Sequence, residues 1–277
     1  MKTRKQLTET EIERFRKTVY DHFREHGRDL PWRHTNDPYC ILVSEIMLQQ
    51  TQVSRMIGKY GLFVGTFPDA VSLDRATLSE VLAVWSGLGY NRRALALKKC
   101  ARVIVAEHNG VVPSSIKDLE KLPGIGHATA AAICAYAFNL PVVYIETNIR
   151  SVFIHHFFDG TDGIHDSVLL PLVEQTLDRS DPRRWYSALM DYGVMLKRSA
   201  NNPGRRSSAY TKQSAFEGSD RQIRGKILSL LTENSELSED EIMELLKADR
   251  RRVRRILGKL KEEGFVTDNK RGIYRIA

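Results

Sequence analysis

Apolar residues recur at helical spacing along almost the whole chain. Ile12, Phe15, Val19 and Phe23 fall three or four apart, which places them on one face of a helix. Thr8 and Glu11 are spaced as a capping box at its start, and Gly27 is a natural stop. From residue 37, DPYCILVSEIMLQQTQVSRMIGKYGLF predicts one long, mostly apolar helix. From residue 77, TLSEVLAVWSGLGYNRRALALKKCARVIVAEHNG predicts two helices broken between Gly87 and Gly89. SIKDLEKLPGIGHATAAAICAYAF, from residue 115, predicts a short helix, a tight turn and a second helix. No stretch before residue 264 alternates as a strand, so the main body is expected to be all-α.

The pattern changes at residues 197–220, KRSANNPGRRSSAYTKQSAFEGSD, a polar, basic, Gly/Ser/Asn-rich stretch that reads as an irregular connector. Beyond it, residues 221–234 predict a helix, and Ser238 with Glu241 caps a second. DRRRVRRILGKLKEEG predicts a third helix, and FVTDNKRGIYRI two short strands around a turn. Three helices and a β-hairpin in this order resemble a winged helix-turn-helix over residues 220–277. Arg250, Arg251, Arg252, Arg254 and Arg255 crowd the start of the third helix, where a recognition helix meets a groove. Arg251 and Arg254 are the candidate DNA contacts; the alternative is a solvated basic face.

Charge agrees with a polyanionic partner. The 277 residues carry 42 Lys and Arg against 34 Asp and Glu, a net charge of +8. Cys40, Cys100 and Cys134 are far apart, each in an apolar stretch, so they form neither a disulfide framework nor a metal-ligand cluster. The first residues lack the apolar core of a signal peptide, and no run approaches membrane-spanning length. These features predict a cytoplasmic monomer, nucleoid-associated in a prokaryote, with no membrane partner.

The turn in LPGIGHATAAAICAY, residues 122–136, offers bare backbone. Helix, turn with Gly124 and Gly126, helix is the pattern of a helix-hairpin-helix, in which glycines let the backbone bend and approach another surface. The N–H groups around Gly126–Thr129 open the second helix and carry the positive end of its dipole. A DNA phosphate suits such a site and positions a duplex without reading its sequence. The alternative is an ordinary interhelical turn. His127 is either a further phosphate donor or a surface histidine.

LPGIGHATAAAI resembles the hairpin of the helix-hairpin-helix DNA glycosylase superfamily. LPWRHTNDPYCILVSEIMLQQTQV and VWSGLGYNRRALAL are similar to the A/G-mismatch adenine DNA glycosylase branch, and YIETNIRSV and ALMDYGVMLKR continue the likeness in order. It covers about residues 28–200. The resemblance implies an all-α, two-domain glycosylase fold: a six-helix domain at 37–139, and a second helical domain from 1–36 plus 140–215 that completes a cleft. The C-terminal module at 220–277 lies outside it.

Cleaving an N-glycosidic bond requires protonation of the leaving base and a negative group facing the charge that develops on the sugar. The target base must also leave the stack. Glu45 is the only acidic residue in YCILVSEIMLQQTQV, and burial there would raise its pKa toward that of a working acid. The resemblance places the catalytic glutamate at Glu45; the structural alternative is a carboxylate paired with backbone or with an arginine such as Arg33. Where the family carries an aspartate, this chain has Glu146. Its oxygens reach about 1.5 Å further, and misplacement by about 1 Å can cost on the order of 100-fold in rate. Glu146 is expected to face the sugar, oriented by Asn148; the alternative is capping of the following helix. Gln50 and Tyr90 match residues the family inserts into the duplex, and GLGY after a helix break predicts an exposed Tyr90. His155–His156 and His165-Asp166-Ser167 lack partners for a metal or hydrolase site.

The chain also departs from the family. Relatives that cut the strand carry a lysine after the hairpin that forms a Schiff base with the sugar; Ala128 stands there, which predicts base release without efficient lyase activity. Many relatives hold an iron–sulfur cluster, but the aligned positions are Lys197, Gly204, Ser207 and Gln213, so no cluster and no other metal or cofactor is expected. The basic residues Lys197, Arg198, Arg205, Arg206 and Lys212 are expected to grip DNA instead. In place of the family's 8-oxoguanine-sensing domain stands the winged-helix-like module. The sequence therefore predicts a monofunctional glycosylase acting on double-stranded DNA with a mispaired or damaged base, adenine opposite guanine or 8-oxoguanine first. The alternatives are thymine or uracil opposite guanine, and a catalytically silent lesion-binding protein.

Overall fold

The computed structural model describes residues 6–198, 202–212, 215–269 and 271–277. Among these are fourteen α-helices, and no helix is long and apolar enough to cross a membrane. The chain divides into two compact units: Met1–Ile41, Ser114–Glu120 and Ile125–Lys212 form the first, and Leu42–Pro113, Lys121–Gly124 and Gln213–Ala277 the second. Both the helix carrying Glu45 and the hairpin turn straddle a boundary.

The first unit opens with α1 (Glu9–His26), capped by the Thr8–Glu11 box and closed at Gly27. It also holds α7 (Ile116–Leu119), α8 (His127–Phe138), α9 (Thr147–Phe157), α10 (Asp166–Thr176) and α11 (Pro182–Arg198). Phe15 and Val19 on α1 are buried against Phe153 and Trp185; the Phe15 ring lies 5.2 Å from Phe153 and 5.9 Å edge-on to Trp185, the geometry aromatic quadrupoles favour. Arg16 ties α1 to the end of α10 by donating to the Thr176 and Leu177 carbonyls. That cation satisfies acceptors the helix leaves open.

The second unit holds α3 (Val53–Thr66), α4 (Ala70–Arg75), α5 (Leu78–Trp85) and α6 (Arg92–His108). Preceding them, α2 (Pro38–Leu48) crosses from the first unit. The single long helix predicted from residue 37 is in fact two, α2 and α3, because Gln50 takes a left-handed φ of 55°. Apolar periodicity continues across the break and so conceals it. The break between α5 and α6 falls at Gly87–Gly89 as predicted, with both glycines at positive φ.

The same unit ends in α12 (Asp220–Asn234), β1 (Glu236–Ser238), α13 (Glu239–Leu246), α14 (Arg250–Glu262), β2 (Val266–Asp268) and β3 (Ile273–Ile276). β1 was not predicted, since three residues are too few to show alternation. It pairs antiparallel with β3, giving the sheet order β1-β3-β2 with Leu237 opposite Tyr274 and Thr267 opposite Arg275. On α14, Val253, Ile256, Leu257 and Leu260 are buried, the stripe a two-faced helix requires.

The described residues of the expected connector include regular structure. α11 runs to Arg198, Pro203–Arg206 form a 3-10 turn, and Ile164 bridges to Ser207.

Candidate active site

Glu45 sits half-buried on α2 between fully buried Ser44 and Ile46. Arg33 is not its partner. Arg33 donates to both carboxylate oxygens of Asp191 at 2.8 Å, and Arg28 donates to the same group. Burial pushes the Asp191 carboxyl up, but hydrogen bonds from Arg33 and the Arg28 amide, with both positive charges, hold it below the usual carboxylate range.

The end of α2 is fixed by a residue that sequence reasoning passed over. Arg93, buried on α6, donates to the Ile46 and Met47 carbonyls at 3.1 and 2.8 Å and to the Gly89 carbonyl at 3.1 Å. Burial lowers its pKa to about 10. A guanidinium kept in so dry a place marks a joint: it caps α2 and ties it to the turn before α6. The signal was the second arginine of NRRALAL, set on the buried face of the helix.

The two expected insertion residues share a backbone feature. Gln50 has φ 55° and Tyr90 φ 48°, a region that L-residues enter at a cost of about 1–2 kcal/mol, and such strain concentrates at functional sites. Gln50 is exposed. Tyr90 is half-buried, not exposed as predicted, because guanidiniums from Arg93 and Arg221 lie 5.4 and 5.7 Å from its ring centre.

In the hairpin, Gly124 has φ +79°, and a Cβ there would come within 2.8 Å of the Ala96 Cβ. Only glycine fits. Gly126 differs: it begins α8 with no side-chain cap, and a Cβ would meet nothing within 4 Å. Its open face leaves room for a group from outside the chain. Thr129 lies half-buried in the first turn, while exposed His127 is paired with Glu120, Nδ1 to Oε1 at 2.8 Å.

Glu146 is the N-cap of α9. Its Oε1 accepts the Asn148 and Ile149 amides at 2.5 and 2.9 Å, and its Oε2 accepts the Thr147 hydroxyl and Asn148 Nδ2, both at 3.2 Å. The extra methylene lets the carboxylate curl back over the helix start, and Asn148 holds it there. Lys197 donates to the Thr147 hydroxyl at 3.0 Å. A close crossing of α11 over α9 sets this arrangement, since a Cβ on Gly193 would lie 2.6 Å from the Asn148 carbonyl oxygen. Glu146 and Asn148 thus meet in the first unit, whereas Glu45 belongs to the second.

The positions aligned with cluster ligands do not fit a cluster. Lys197 is held by Thr147, Gly204 is so tight that a Cβ would stand 2.7 Å from Ser151 Oγ, and Ser207 is buried in the bridge to Ile164; Gln213 lies outside the described residues. Cys100 is buried and bonded to the Pro123 carbonyl, its thiol pushed up to about 12, and Cys134 donates to the Ser114 carbonyl. Arg206, expected to grip DNA, instead donates to the Phe158 and Ile154 carbonyls. It pins the loop by capping α9. Lys197 is likewise engaged internally, while Arg198, Arg205 and Lys212 are exposed.

On α14 the predicted basic cluster is mostly paired. Arg254 forks onto Glu239, Arg250 reaches Asp240, and Arg252 and Arg255 share Asp220. Arg251 is exposed. Of the paired histidines, His156 bonds the Tyr192 hydroxyl at 3.1 Å, and Asp166, from the other histidine-containing stretch, is held by Arg150.

Comparison with known proteins places the chain among relatives. The family model for HhH-GPD superfamily base excision DNA repair proteins matches residues 43–169, and that for the TFIIE alpha subunit matches residues 215–272. The adenine DNA glycosylase of Mycolicibacterium smegmatis is 35% identical over 78% of this chain and 78% of its own. That of Buchnera aphidicola subsp. Baizongia pistaciae is 35% identical over 66% of this chain, which spans 52% of that relative's length. A solved thermostable thymine-DNA glycosylase superposes with a TM-score of 0.63 at 27% identity, over 70% of this chain and 91% of its own.

Proposed function

Since the chain belongs to the HhH-GPD superfamily of base excision DNA repair proteins, with adenine DNA glycosylases among its relatives, we propose that it is a monofunctional DNA glycosylase acting on mispaired adenine. The observation that carries this is Glu45: a half-buried carboxyl on an apolar helix whose end Arg93 ties to the turn bearing Tyr90. Gln50 and Tyr90 enter the duplex and the target base swings out. Glu45 gives its proton to a ring nitrogen of the base, the N-glycosidic bond breaks, and the base leaves neutral. Glu146, steadied by Asn148, faces the cationic sugar, and a water adds to the sugar carbon and releases its proton. Gly124–Thr129 hold a phosphate of the duplex, as the open face of Gly126 supports. With Ala128 in place of a lysine no Schiff base forms, so the strand is left uncut. The enzyme works as a monomer without an iron–sulfur cluster, its loop held by Arg206 instead.

Adenine opposite guanine or 8-oxoguanine is the leading substrate. Thymine or uracil opposite guanine is the second, favoured by the likeness to a thymine-DNA glycosylase. A panel of mismatched and damaged duplexes, incubated and then treated with alkali, tests all of this. Strand breaks at one lesion that vanish in Glu45→Gln support the enzyme and name its base. Breaks without alkali would refute the monofunctional assignment, and binding without breaks across the panel would make the chain a silent lesion reader.

A further inference from the structure

Tyr90 is held by the C-terminal module. Arg221, at the start of α12, donates from Nη1 to the Tyr90 hydroxyl at 2.8 Å while its guanidinium lies 5.7 Å from the ring centre. Arg93 lies at 5.4 Å from the same ring. Two residues further along the chain from Tyr90, Arg92 forks onto Glu263 at the end of α14, with contacts of 2.9 and 2.6 Å, and Arg224 of α12 donates to the same carboxylate at 3.0 Å. The module thus holds Tyr90 itself and the start of α6 two residues beyond it.

We propose that Arg221 is a positioning residue for Tyr90, so that the C-terminal module sets the side chain that opens the duplex. This rests on the assignment of Tyr90 as an inserted residue. Tyr90 springs from a left-handed backbone flanked by Gly89, also at positive φ. A ring on such a turn would otherwise lose rotamer freedom on entering a base stack, and that ordering costs free energy at the moment of insertion. Arg221 orders it beforehand: its planar guanidinium fixes the hydroxyl by a hydrogen bond and the ring by cation–π attraction. The module's work is therefore done beside the lesion, in addition to any contact its α14 makes with flanking duplex.

A double-mutant cycle in the full chain tests this, read by the fluorescence of 2-aminopurine placed next to a mispaired adenine and by single-turnover excision of that adenine. Tyr90→Phe removes the hydroxyl and Arg221→Ala removes its donor; each should reduce both the fluorescence rise and the rate roughly tenfold, a displacement of less than about 1 Å being enough. The double variant should be no worse than the poorer single variant, and Arg221→Lys should restore only part of the loss. The loss should be smaller when the target adenine lies in single-stranded DNA, a difference that general misfolding would not produce. Independent, multiplicative effects would overturn the inference, as would a stronger fluorescence rise in Arg221→Ala or no rise with the wild-type chain. If the cycle shows coupling but no base is excised, the glycosylase assignment fails while this one stands.

Discussion

Arg33 and Asp191, 158 residues apart, form a bidentate pair with both N–O distances at 2.8 Å. The carboxylate is buried, and Arg28 completes its shell. The pair fastens the segment before α2 to α11, the helix that crosses Asn148.

Asp191→Asn keeps the shape but leaves two guanidiniums without their counter-charge. Unfolding in urea should show a loss of about 3 kcal/mol, the low end for breaking a buried ion pair because Arg28 is partly exposed. Because the folded carboxyl titrates below its ordinary value near 3.9, the wild-type contribution is complete above that pH and is lost as pH falls through the lowered value. The variant should lack this acid-sensitive component.

Gly193 and Gly126 should respond oppositely to alanine. At Gly193 the new methyl collides with the backbone of Asn148, so Gly193→Ala should destabilise by about 1–3 kcal/mol and slow excision. At Gly126 the methyl meets nothing in the chain. Gly126→Ala should melt as the wild type does yet bind duplex DNA more weakly, as a fluorescence anisotropy titration would show.

Glu146→Ala should cost about 1 kcal/mol through loss of the α9 cap. Glu146→Asp should hold stability near wild type, since aspartate is a good N-cap. Its excision rate then reports whether the longer side chain is adapted to the sugar; a faster Asp variant would show that the glutamate sits too far forward. Thermal melts beside single-turnover rates separate the two effects.

His156 contributes a second pH dependence. Burial, with the neighbouring charge of His155, lowers its pKa to about 4, so the unfolded chain takes up a proton first as pH falls. Stability should decline between about pH 6.5 and pH 4 and be unaffected by this group above that window. His156→Gln keeps a partner for Tyr192 without titrating, and its urea midpoint should vary less across the same range.

On α14, Glu239→Gln releases Arg254 from its fork and should tighten non-specific DNA binding, since exposed ion pairs are worth little and phosphate competes for the freed guanidinium. Arg251→Ala should weaken binding and lower the slope of log K against log salt by about 1 if Arg251 meets one phosphate. Binding titrations at several salt concentrations check both.

The sequence by itself determined the helical character of the main body, the α5–α6 break, the hairpin glycines and the module's helices, because apolar periodicity and capping residues are local signals that survive in any context. It likewise set the expectation that Glu45 and Glu146 carry the chemistry. What only tertiary structure decided were matters of partnership. Arg93 caps α2 from another helix, Arg33 takes Asp191 rather than Glu45, Tyr90 is sheltered by an arginine 131 residues away, and four of the α14 arginines, Arg250, Arg252, Arg254 and Arg255, are met by acids of their own module. Glu146 curls onto α9 because a helix start leaves unpaired amides within reach. Charge and hydrogen-bond partners are chosen by distance in space, and a single chain of letters holds that distance only through the packing of all the rest.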